Sequence, residues 1–141
     1  VLEHIDADTQ VLEEIHRVLC PMGKLLITVP AFQFLFGLQD EVSHHKRRYR
    51  EDSLKELIRG TGFKIHYATY FNTLLFPPIA AVRLFRRVFP ADFEAGKSDF
   101  DMRLPGFIEA VLEKLFSFER HAIDRASLPF GISILCSARR V

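Results

Sequence analysis

Apolar and polar positions along this chain switch between two periods, and the switches mark its elements. Val11, Leu12, Ile15, Val18 and Leu19 recur at helical spacing. Asp6 and Asp8 stand just ahead of them, where a helix N-cap belongs. Glu13 and Arg17 fall one turn apart on the outer face and are spaced to pair. Pro21-Met22-Gly23 then stops the helix and turns the chain into residues 24–29. That run is almost continuously apolar, as in a strand covered on both faces. From about Glu51 a second helical stripe follows, with Leu54, Leu57 and Ile58 inward, acids in the first turn, and Gly60 and Gly62 at the end. Phe63, Ile65 and Tyr67 alternate and predict a strand over 63–71, with those three on one face. Residues 73–88 pattern as a helix interrupted by Pro77-Pro78. Residues 89–105 mix Pro, Gly and charge and read as a loop. Phe107, Ile108, Val111, Leu112 and Leu115 predict another amphipathic helix, and 132–138 a closing strand. The opening Val1-Leu2-Glu3-His4-Ile5 reads as the end of a buried strand entering a loop. The order strand, loop, helix, strand is half of a parallel α/β unit, so the fold class expected is α/β. The whole, 1–141, reads as one partial domain, with 73–120 as a helical insertion or lid.

Composition changes this picture little. The chain has 141 residues, 48% of them hydrophobic, enough for a real core. Its net charge of +1 does not advertise nucleic acid, and no nucleic-acid partner is expected. Cys20 and Cys136 are too few for a disulfide framework. Both adjoin apolar runs and read as buried thiols in a reducing, cytoplasmic setting. The uncharged stretch 69–82 is too short to span a bilayer.

Three features could carry chemistry. Glu3-His4 sits just past a strand's carboxyl end, where open α/β sheets bind ligands. The pair could orient a ligand or move a proton, or it could be a helix-entry loop with exposed charge. The second feature is the dense run Asp40, Glu41, His44, His45, Lys46, Arg47, Arg48, Tyr49 and Arg50. Here His45 suits a general base near neutral pH. Arg48 suits an anion clamp and Tyr49 a hydrogen-bond donor. The same run could instead be a solvated face or a contact for nucleic-acid phosphate or anionic lipid. No spacing in it is diagnostic of a metal site, and none is expected. Third, residues 74–82 are apolar and lead into Arg83, Arg86 and Arg87. That order fits an interfacial helix making peripheral membrane contact through 74–87. It fits equally a pocket lid whose basic end meets water.

Taken together, several of these residues resemble a known family. Val1-Leu2-Glu3-His4-Ile5, then Arg17-Val18-Leu19-Cys20-Pro21-Met22-Gly23 and the strand to Pro30, resemble the C-terminal half of class I S-adenosylmethionine-dependent methyltransferases. Met22 stands where that family usually has Gly. His45-Lys46-Arg47-Arg48-Tyr49, Leu54, Leu57 and Gly62-Phe63 resemble a bacterial small-molecule branch of it, with Arg50 in place of the usual Ser or Thr cap. Leu128-Pro129-Phe130-Gly131-Ile132-Ser133 fits as well. The resemblance implies a partial Rossmann-like class I methyltransferase fold: strands 5, 6 and 7 and the end of strand 4, flanked by helices. Strand 7 is antiparallel in the order 3-2-1-4-5-7-6. It implies S-adenosyl-L-methionine as cofactor, met on this side by Leu2, Glu3 and His4. Such methyl transfer rests largely on positioning and desolvation and needs no dedicated base; where one acts, His45 is the candidate, with Asp40, Arg48 and Tyr49 as substrate-binding residues. The acceptor is a small molecule, or lipid-like by the apolar-then-basic order of 74–87. The family's Gly-rich loop and ribose-binding acid do not occur in these residues. The reading is therefore of a substrate-side half, inactive alone, whose partner is a missing N-terminal half. From a different class, the alternative is a non-catalytic interaction module docking through residues 44–50 on an anionic partner.

Overall fold

The computed structural model describes residues 1–88 and 126–141, together with residues 113, 114, 117, 119, 121 and 123. The expected loop over 89–105, the expected helix on Phe107, Ile108, Val111, Leu112 and Leu115, and most of the expected 73–120 insertion lie outside the described residues.

Among the described residues three strands form one sheet: β1 (Lys24–Pro30), β2 (Phe63–Phe71) and β3 (Ser133–Arg140), in the order β1-β3-β2. The last strand lies in the middle, antiparallel to both neighbours. Leu25, Ile27 and Val29 of β1 pair with Ala138, Cys136 and Ile134 of β3, and all six are buried. One face of the sheet is therefore apolar, and two helices cover it. α1 (Asp8–Val18) contributes Leu12, and α3 (Glu51–Gly60) contributes Leu54 and Ile58. None of these three side chains reaches solvent.

The structure corrects several expectations. Val1–Ile5 is not a strand end: Leu2–His4 is a 3₁₀ turn, with Leu2 buried. Ala7 is the residue ahead of α1, and Asp8 is its first helical residue. Arg17 pairs with Glu14 rather than Glu13, because i,i+3 neighbours also face each other. Val18 faces solvent at the helix end. Strand β1 is covered on one face only, and Leu26 on the other is 69% exposed. Tyr67 does not share a face with Ile65. A bulge between them shifts the register, so Ala68 and Tyr70 turn to the core and the Tyr67 hydroxyl donates to the carbonyls of Ile123 and Ala126. Pro77 and Pro78 do not interrupt α4 (Phe76–Val88); they lie in its first turn, where no intrahelical N–H bond is required. Cys20 is exposed, whereas Cys136 is buried in the sheet.

Two backbone features fix the ends of these elements. Met22 turns the chain into β1 with φ +64, in the left-handed region that costs a side-chain-bearing residue energy. Gly131 leads the chain into β3, and a Cβ there would lie 2.3 Å from the Phe71 carbonyl oxygen. Only glycine lets the backbones of β2 and β3 approach so closely.

Candidate active site

β1 ends at Pro30, and the chain past it builds the site. Ala31 forms a parallel bridge with Tyr49. The backbone amide of Phe32 donates to Tyr49 and that of Tyr49 donates to Pro30, at 2.8 and 2.9 Å. The run 45–49 is thereby laid alongside the carboxyl end of β1. The amide of Lys46 also donates to the Glu3 carbonyl at 2.7 Å, which draws the Leu2–His4 turn against His45.

Between these segments lies the short helix α2 (Leu38–Val42), and its ending aims His45. The amide of His45 donates to the Asp40 carbonyl, and that of His44 to the Glu41 carbonyl. His44 sits between them with φ +54. This is a Schellman stop with histidine where glycine is usual. It presents the His44 carbonyl outward, and His4 Nδ1 donates to it at 3.1 Å. A carbonyl only accepts, so Nδ1 of His4 carries a proton, and in the neutral imidazole Nε2 keeps its lone pair.

Asp40 is the hub. Its side chain has no exposure to solvent. Oδ1 accepts from Arg48 Nε at 2.8 Å and lies 3.0 Å from His45 Nδ1. Oδ2 accepts from the Gly37 amide at 2.9 Å, from Arg48 at 3.0 Å and from Arg83 of α4 at 3.1 Å. Burial pushes the Asp40 carboxyl up. The hydrogen bonds from His45, Arg48 and the Gly37 amide, with the charge of Arg48, outweigh it and hold the group below the usual carboxylate range. An ionised carboxylate only accepts, so His45 also carries a proton on Nδ1, and in the neutral imidazole Nε2 is the acceptor. The two imidazoles meet edge to face, with centroids 4.8 Å apart.

Each expected site residue can now be placed. His45, His4, Glu3 and Asp40 come together. Leu2 is in the core and anchors the turn that carries Glu3 and His4. Arg48 is nearly buried and gives its donors to Asp40 and the Ala31 carbonyl. Tyr49 is buried, and its hydroxyl donates to Asp8 Oδ2 at 3.0 Å. Burial first, then that carboxylate, pushes the phenol far above its ordinary range, so it stays protonated. Of the remaining basic run, Lys46 pairs with Asp6, and Arg47 pairs with Asp8 and the Asp6 carbonyl. Arg50 precedes α3 without capping it. Its amide donates to Ser53 Oγ, so Ser53 does the work of the cap.

Sequence reasoning missed Arg83, placed only at the basic end of an apolar segment, and missed Asp6 and Asp8 as partners of the run. It also missed the aromatic wall beside the site. Phe32 stacks on Tyr70 with centroids 5.0 Å apart, and Phe34, Phe76 and Phe130 join it edge to face or tilted. The only sequence signal for that wall was the count of 14 Phe.

No protein-family model and no curated protein sequence matches the chain. Among solved structures, it is similar to phosphoethanolamine N-methyltransferase 2 of Haemonchus contortus in complex with S-adenosyl-L-methionine, at 21% identity and a TM-score of 0.46. It is similar to the same enzyme in complex with phosphomonomethylethanolamine and S-adenosylhomocysteine at 18% identity and a TM-score of 0.46. Each likeness covers 99% of this chain and 31% of the other, so the chain spans about a third of the length of the solved enzymes it matches.

Proposed function

We propose that this chain is the acceptor-side part of a class I S-adenosylmethionine-dependent methyltransferase of the bacterial branch its motifs resemble. The observation that carries this reading is positional. His45, held by Asp40, lies beside His4 and Glu3 past the carboxyl end of β1, in a sheet ordered β1-β3-β2 with an antiparallel centre strand. That order is the one the resemblance implies for strands 5, 7 and 6.

The Leu2–His4 turn suits one wall of a cofactor site: Leu2 seats it in the core, and the His44 carbonyl holds His4 by Nδ1. Bound against it, S-adenosylmethionine supplies an electrophilic methyl group. The rest of that site belongs to the N-terminal half. In this proposal His45 Nε2 takes the proton of the acceptor's oxygen or nitrogen. Asp40 fixes the tautomer and direction of His45, and Arg48 and Arg83 hold Asp40 ionised and in place. Asp40, Arg48 and Tyr49 then serve the substrate through His45 and the loops. Phe32, Phe34, Phe76 and Phe130 give the acceptor an apolar wall. Such a wall suits a lipid-like acceptor. Exposed Leu74, Val82 and Leu84 support peripheral membrane contact through 74–87 in a cytoplasmic enzyme. No helix among the described residues is long and apolar enough to cross a membrane. The docking-module reading has less support, because Lys46, Arg47 and Arg48 are paired within the chain.

The test is release of S-adenosylhomocysteine by the complete enzyme given S-adenosylmethionine and separate polar and lipid extracts. Extract-dependent release is expected with the lipid fraction. No release with either fraction would overturn the proposal.

A further inference from the structure

Two imidazoles and one carboxylate converge where the Leu2–His4 turn meets the chain after α2. Glu3, His4 and His45 each offer one ligand atom, and these atoms all lie within 4.8 Å of one another. The segments that supply them are some 40 residues apart in sequence, so no local spacing announced the group.

Their protonation is arranged for ligation. A metal-binding histidine usually donates its second ring N–H to a carboxylate or a backbone carbonyl, which fixes the tautomer and makes the ligand nitrogen more basic. Both histidines here do so. His45 Nδ1 donates to the buried Asp40 carboxylate at 3.0 Å, and His4 Nδ1 donates to the His44 carbonyl at 3.1 Å. In the neutral imidazole each then offers Nε2 as its ligand atom. Glu3 Oε1 lies 3.5 Å from His4 Nε2. The Glu3 side chain is 12% exposed.

We infer that Glu3, His4 and His45 form a binding site for one divalent transition-metal cation of the zinc class. Two imidazole nitrogens and one carboxylate oxygen are a ligand set for zinc-like ions that leaves a coordination position open. Ligand bonds of about 2.1 Å would hold tetrahedral ligand atoms about 3.4 Å apart. The widest pair must therefore close by a little over an ångström, within reach of side-chain rotation in His4 and Glu3. Asp40 becomes the supporting carboxylate of a carboxylate–histidine–metal relay. A cation and an acceptor proton compete for the same His45 Nε2, so one molecule uses that nitrogen for one or the other at a time.

The site shares His4 and His45 with the methyl-transfer reading, but its test uses neither cofactor nor acceptor, so the two can fail separately. Co²⁺ is titrated into the full 141-residue chain and followed by visible absorption, then displaced by Zn²⁺. The expected result is saturation at one equivalent, displaced by one equivalent of Zn²⁺. His4→Gln and His45→Gln should weaken binding at least 10–100-fold, as should Glu3→Gln. Asp40→Asn should weaken it about 10–100-fold through the supporting bond. Circular dichroism reports folding for each variant. His44→Gly keeps the left-handed stop and should bind as the unaltered chain does. Absence of saturable binding overturns the inference. So does binding that the folded His4→Gln and His45→Gln variants retain unchanged, since the cation is then held elsewhere on the surface.

Discussion

Asp40 touches two guanidiniums, an imidazole and a backbone amide, and solvent reaches none of it. Such a residue is costly to remove, because its partners stay buried and charged. Asp40→Ala should destabilise the chain by about 3–5 kcal/mol in denaturant unfolding. The same network sets an acid limit. The folded-state pKa of Asp40 lies below its ordinary value of 3.8. Its contribution is therefore complete above that value and is lost as the pH falls further, through the folded-state pKa. Stability measured below about pH 4 should fall more steeply for the natural chain than for Asp40→Asn. Met22 offers the opposite change. Its φ of +64 suits glycine, so Met22→Gly should raise the melting temperature, with a gain of about 0.5–1 kcal/mol after glycine's larger unfolded-state entropy is counted. At this scale the sequence announced His45, Glu3 and His4 by residue type. It did not announce what Asp40 and Arg48 touch. A carboxylate and a guanidinium that neutralise each other in the interior look, in sequence, like any two polar residues meant for a ligand.

Elements were legible where one physical signal dominated. Helix α3 begins at Glu51 and buries Leu54 and Ile58, as the apolar stripe predicts, because nothing competes with its period. The strand 63–71 was legible in extent and mistaken in face, because a bulge adds one residue and no sequence rule marks where. Pro77-Pro78 read as a break when it is a start, since proline is harmful only where an N–H is required of it. The ends of α2 and of the turn before β1 use His44 and Met22 at positive φ, where pattern reading looks for glycine. These two departures flank the candidate site and the sheet that carries it. The His44 stop is what brings the His45 ring against that of His4, centroids 4.8 Å apart.

For the molecule as a whole, the sheet order is the part that the family resemblance anticipated, down to the antiparallel centre strand. The burial of its faces was not anticipated. The run 24–29 looked like a strand covered on both sides, yet Leu26 stands exposed on β1, and β1 is an edge of the described sheet. An apolar edge strand invites pairing with a second chain. The isolated chain should therefore elute from size-exclusion chromatography as oligomers in a concentration-dependent way. Leu26→Lys should shift the population toward monomer without lowering the melting temperature by more than a few degrees. An unaltered elution profile would place the association elsewhere.

The central claim is that Asp40 aims His45 at an acceptor proton during methyl transfer. The direct measurement is turnover of the complete enzyme carrying His45→Ala, with cofactor affinity measured on the same protein and His44→Gly as the companion variant. The account predicts a turnover loss of roughly 10²–10⁴-fold for His45→Ala. It predicts little change in S-adenosylmethionine affinity, and near-natural turnover for His44→Gly, which preserves the backbone stop. Turnover of His45→Ala within a few-fold of the unaltered enzyme would contradict it, and would leave methyl transfer to positioning and desolvation alone.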